Sequence, residues 1–64
     1  MFSEIYDESF RNYLQEIVKL IQRYDVVTQK QAENIVKNNI DSFEDCFYDG
    51  STALEAYNEY SDME

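Results

Sequence analysis

Asp41, Asp45 and Asp49 recur every four residues, a spacing that stacks carboxylates about 6 Å apart along one side of a helix. Glu44 lies beside that line, and Glu55, Glu59 and Asp62 make a second row at steps of four and three. Like charges so placed cost a helix a few tenths of a kcal/mol per pair. No base relieves them, because the last basic residue is Lys37. The first 37 residues carry six acids and five bases, while the last 27 carry eight acids and no base. Nearly all of the net charge of −9 therefore sits on the C-terminal segment. Such a segment repels nucleic acid and anionic membrane and attracts basic protein surfaces. Two carboxylate rows can also imitate a nucleic-acid strand, which carries one phosphate per roughly 3.4 Å. The plain alternative is a solvated face that keeps a small protein soluble.

Aromatic residues share the acidic segment. Of the six tyrosines, Tyr48, Tyr57 and Tyr60 fall within it, and tyrosine is favoured in interfaces because it gives large contact area at low entropic cost. The competing expectation is that these rings cap a thin core with their hydroxyls wet. The chemistry of catalysis finds little to work with. There is no histidine to act as a general base or zinc ligand. Cys46 is flanked by Glu44, Asp45 and Asp49, whose charge disfavours a thiolate. The stretch from Asp45 to Gly50 lacks the D-x-D-x-D-G spacing of a calcium loop, and no glycine-rich phosphate loop is present. No enzymatic activity, metal or cofactor is expected. A nucleic-acid-binding helix-turn-helix is set aside as well, since its second helix would offer only Lys30 and Lys37 against a strongly acidic chain.

The elements that must hold these residues are read from punctuation. Proline is absent and Gly50 is the single glycine, which leaves little to break helices. Tyr6, Phe10, Tyr13, Ile17, Leu20 and Tyr24 recur at alternating steps of four and three, and Leu14, Val18 and Ile21 widen the stripe. The spacing predicts a helix over about residues 3–24 with one broad buried face. Asp7 and Glu8 near its start and Lys19 and Arg23 near its end suit the helix dipole. Thr28 and Gln31 form a capping box for a second helix over about 28–49, with Val27 placed to staple onto Ala32. Ala32, Ile35, Val36, Ile40, Phe43 and Phe47 point inward on it. Asn38 and Asn39 are weak helix formers, and Asp41 or Ser42 can cap a fresh start, so a kink or break near 38–42 is compatible with the pattern. Gly50 is the natural left-handed terminator. Thr52 and Glu55 form a second capping box opening a short helix over about 52–61, which presents Ala53, Leu54, Tyr57 and Tyr60, and residues 61–64 are expected to fray.

The expected fold class is therefore all-α, a compact three-helix bundle forming one domain over residues 1–64. A domain of this size buries only about 60% of its unfolded surface, and a lone cysteine allows no internal disulfide. Tight packing or oligomerisation must compensate. The start of the chain lacks the basic and apolar runs of a signal peptide, and a lone cysteine suits a reducing compartment, so a cytoplasmic protein is expected.

No motif assigns a family. In size, acidic rows and lack of catalytic residues the chain resembles small phage or mobile-element accessory proteins, among them acidic inhibitors of the anti-CRISPR and anti-restriction kind. That likeness implies a non-enzymatic inhibitor or regulator that docks an anionic helical face on a basic, nucleic-acid-binding surface of a partner protein. Asp41, Glu44, Asp45, Asp49, Glu55 and Glu59 would supply charge, and Tyr48, Tyr57 and Tyr60 anchoring contacts. The competing expectation is a structural or regulatory homo-oligomer, with the stripe of the first helix paired between chains and the acidic face merely solubilising.

Overall fold

The structure, a computed structural model, describes residues 7–62. Four helices follow one another, α1 (Glu8–Asp25), α2 (Gln29–Asn38), α3 (Ile40–Tyr48) and α4 (Ala53–Asp62). The expectation of three helices is corrected at Asn39. That residue leaves helical geometry (φ −120°, ψ 23°) while its N–H still donates to the carbonyls of Ile35 and Val36, both at 3.2 Å. Its side-chain amide adds a second donor to the Ile35 carbonyl at 2.8 Å. An asparagine that competes with the helix for its own carbonyls is a poor interior residue, and here it divides the predicted 28–49 helix in two. The Asn39 carbonyl then accepts from Phe43 N–H at 3.1 Å and opens α3. Neither Asp41 nor Ser42 caps the new start, since Asn39 is the N-cap and makes no side-chain capping bond.

The first helix also begins later than expected. Asp7 lies in extended backbone (φ −71°, ψ 165°), and its Oδ1 accepts from Phe10 N–H at 2.9 Å. It is therefore the N-cap, and a start near residue 3 is corrected to Glu8. Tyr6, placed on the stripe above, lies outside the described residues. α1 ends at Val26, a β-branched residue in left-handed geometry (φ 54°, ψ 55°). α4 runs through Ser61 to Asp62, and residues 63–64 of the tail expected to fray lie outside the described residues.

Both capping boxes form as read. Thr28 Oγ1 accepts from Gln31 N–H at 3.2 Å while Gln31 Oε1 accepts from Thr28 N–H at 3.0 Å. Thr52 and Glu55 repeat the exchange at 3.1 and 2.8 Å. Each box satisfies two of the orphan N–H groups that a helix start leaves open.

α1 is the central element and touches the other three helices. Phe10, Leu14, Ile17, Val18 and Ile21 on its buried face meet Ala32 and Val36 of α2, Phe43 of α3, and Ala56, Tyr57 and Tyr60 of α4 in one core. Each large apolar side chain so buried contributes roughly 1.5–3 kcal/mol against exposure. Of the stripe on α1, Phe10, Leu14, Ile17, Val18 and Ile21 are buried in this core, Tyr13 and Leu20 are partly buried, and Tyr24 is exposed. Two strings of aromatic contacts extend the core to its edges. Phe47 packs on Phe10 and Tyr13 with both centroid distances at 5.1 Å and meets Tyr48 at 5.4 Å. On the other side Tyr24 stacks on Tyr57 at 5.5 Å, Tyr57 meets Tyr60 at 6.2 Å, and Tyr60 meets Phe43 at 6.1 Å.

Candidate functional site

The turn from α3 to α4 decides which acidic side chains meet. Asp49 caps α3, and Gly50 follows with φ 87°. Ser51 N–H donates to the Cys46 carbonyl at 3.0 Å and Gly50 N–H to the Phe47 carbonyl at 3.2 Å. These two bonds are a Schellman motif, which needs a residue at ease in left-handed backbone. A Cβ at Gly50 would meet nothing within 4 Å, so conformation and not space calls for glycine here. The reversal lays α4 alongside α3, so that Cys46 faces Glu59 and Phe43 faces Tyr60.

Between the two helices lies an open groove of about 580 Å³. Phe43, Ala56 and Tyr60 form its apolar floor, and all three are buried. Asp45, Asp49 and Glu59 stand along it as exposed carboxylates. Tyr48, 74% exposed, forms one wall, with Asn39 and Ser42 contributing neutral polar groups.

Cys46 also lines the groove. Its Sγ–H donates to Glu59 Oε2 at 3.0 Å. Burial pushes the thiol up from its ordinary 9.0 to about 11, and the bond to Glu59 and the charges of Glu59, Asp45 and Asp49 push the same way. The thiol is therefore held protonated at neutral pH, where it donates its hydrogen bond to Glu59. Tyr13 donates its hydroxyl to the Thr52 carbonyl at 3.2 Å. Its phenol is raised to about 12, first by burial and then by Cys46, Glu55 and Glu59. Burial is the first cause of both shifts, and Glu59 is the carboxylate that adds to each of them.

The structure sorts the residues singled out by spacing. Asp45, Tyr48, Asp49, Glu59 and Tyr60 line the groove. Asp41 is exposed on the first turn of α3 and Glu44 is half-buried, and neither lines it. Glu55 is engaged by the Thr52 backbone through its capping bond. Tyr57 is 7% exposed and donates its hydroxyl to Asp25 Oδ1 at 3.1 Å, which ties α4 to the end of α1. Tyr60 is 9% exposed and supplies floor. Tyr48 is the one of the three tyrosines that stands clear of the core. Three of the acidic residues, Asp45, Asp49 and Glu59, therefore share one groove, while Asp41, Glu44, Glu55 and Asp62 lie off it. Sequence reasoning missed Asn39, Ser42, Phe43, Cys46 and Ala56 as groove residues. Phe43 and Cys46 sit three apart, as do Ala56 and Glu59, which is the spacing of residues sharing a helix face.

Among the described residues, no group of three or more carboxylate or thiol side chains is gathered as a metal ion would require, and no helix is long and apolar enough to cross a membrane. No protein-family model matches this chain, no curated protein is significantly similar to it, and no solved structure matches it at a significant level.

Proposed function

We propose that the protein is a small non-enzymatic binding module that docks its α3–α4 face on a basic surface of a partner protein. The convergence of Asp45, Asp49 and Glu59 with the exposed ring of Tyr48 around the open groove carries this reading. Carboxylates held at a concave, partly apolar site act on a basic partner in two ways: they steer its approach over a distance, and they reject acidic competitors. A natural consequence is inhibition or regulation of a nucleic-acid-binding protein, whose phosphate-binding surface has the complementary charge. Asp41, Glu44 and Glu55 lie off the groove and add to the field without filling it. A cytoplasmic setting is part of the same proposal, and in a reducing compartment Cys46 would keep its thiol.

The test is a pull-down from the native host at two ionic strengths, followed by a binding titration with the basic protein recovered. Binding is expected to weaken steeply as salt rises, because the Debye length shrinks from about 30 Å at 0.01 M to about 8 Å at 0.15 M. The double substitution Asp45→Lys, Asp49→Lys should abolish binding while the far-UV helix signal persists. Unchanged affinity in that folded variant would refute the reading.

A further inference from the structure

The groove also restricts which cation it suits. Resting on the docking reading just given, we propose that the α3–α4 groove is a receptor for an arginine side chain on a basic segment of the partner. Four observations point to a guanidinium. The groove pairs exposed carboxylates from two helices, Asp45 and Asp49 from the end of α3 and Glu59 from α4, and these are spread along it, not closed around one point. A flat cation with five N–H donors can span such a spread, whereas a compact ammonium concentrates its charge at one place. The floor is apolar and aromatic, with Phe43, Ala56 and Tyr60 buried beneath the opening. A weakly hydrated guanidinium tolerates that surface better than a strongly hydrated ammonium does. Tyr48, at 74% exposure, offers a ring in the same groove as the carboxylates, where a cation–π contact can join an ion pair. Finally, Glu59 accepts the Cys46 thiol proton at Oε2. The bond restrains a long, flexible side chain and lowers the entropy lost when a ligand is gripped.

Charge complementarity selects a foreign partner over a second copy. The helices α1 and α2 with their caps, residues 7–39, hold five acids and five bases and offer no net positive potential to a groove of this sign. Nucleic acid is repelled by the same carboxylates.

The experiment uses the full chain, isotope-labelled for amide NMR, titrated at low salt with a tetraarginine amide and separately with a tetralysine amide. Both peptides should bind. The arginine peptide should bind about three-fold tighter, the scale of an exposed cation–π contact, with its largest shifts at Cys46, Tyr48, Asp49 and Glu59. Tyr48→Leu should weaken arginine binding more than lysine binding and so reduce that preference. Tyr48 is largely exposed, so the variant should stay folded. Equal affinity for the two peptides would overturn the arginine assignment, and a preference unchanged by Tyr48→Leu would overturn the part given to Tyr48. The docking reading would stand in that case if Asp45→Lys, Asp49→Lys still abolished binding of both peptides. Binding by neither peptide would overturn both proposals. Arginine-induced shifts centred on Asp41 and Asp62 instead of the groove would overturn the site.

Discussion

Replacing Val26 with glycine should make this protein more stable. Val26 closes α1 at φ 54° and ψ 55° and is 86% exposed. Left-handed backbone costs a residue with a Cβ roughly 1–2 kcal/mol, and a β-branched side chain stands at the unfavourable end. Glycine removes that cost but gives the unfolded chain more freedom, which returns about 0.4–1 kcal/mol to the unfolded state. The buried share of the valine is small, so its lost packing amounts to a few tenths of a kcal/mol at most on a scale of about 1.5 kcal/mol for full burial. The balance is a gain of about 0.5 kcal/mol, which in a domain of this size raises the midpoint of thermal unfolding by roughly 2–4 °C. Urea unfolding followed by circular dichroism measures it directly, with an unchanged slope showing that the two states are otherwise the same. Val26→Ala is the control, because alanine keeps a Cβ in the left-handed region and should gain less than glycine. A glycine variant less stable than the alanine variant would refute the reasoning, since it would mean that the turn does not demand left-handed backbone at residue 26.

Three other outcomes follow from the structure. Cys46 should react with iodoacetamide at about pH 8 some ten-fold more slowly than a free thiol, because the lower thiolate fraction outweighs its greater nucleophilicity; Glu59→Gln should speed the reaction, and an unaltered rate would remove Glu59 as a cause. Stability should fall as the pH is raised from about 9 toward 12: folded Cys46 and Tyr13 hold their protons to about 11 and 12 against ordinary values of 9.0 and 10.0, so the native state binds more protons across that window. A flat alkaline denaturation profile would contradict this, and Cys46→Ser, which lacks the thiol, should flatten its lower part. Thr52→Ala should cost about 1 kcal/mol in urea unfolding by opening the α4 cap, with Thr28→Ala costing a similar amount at α2.

Local rules were legible wherever a residue acts on its own neighbours. Thr28 with Gln31, Thr52 with Glu55, and Gly50 each do what their type and position dictate, because capping and left-handed termination are decided within a few residues. The buried face of α1 was legible for the same reason, being a property of one helix. The joint at Asn39 was half legible. Asparagine's weakness in a helix marks the place, but whether the helix bends or divides depends on where Phe43 and Phe47 must go to reach α1 and α4, and that is a tertiary demand. The groove was least legible. Tyr57 and Tyr60 have the same side chain as Tyr48 and lie in the same acidic segment, yet two of them are core and one is surface. Tertiary packing separates them: Tyr57 meets Tyr24 and Asp25, more than 30 positions upstream, and Tyr60 meets Phe43 of α3. Row spacing along α3 and α4 also gave no hint that Cys46 and Glu59 would meet, because it carries no information about how the two helices are turned toward each other.

The joint at Asn39 divides more than a helix. Before it, the described residues balance five acids with five bases, and after it they carry seven acids and no base. The folded molecule, only 28 Å in its longest extent, is thus an electric dipole with a front and a back. In the field of a positively charged surface such a body experiences a torque as well as a pull. It turns its α3–α4 side forward while still in solution, so a larger share of its collisions begin in the orientation that can succeed.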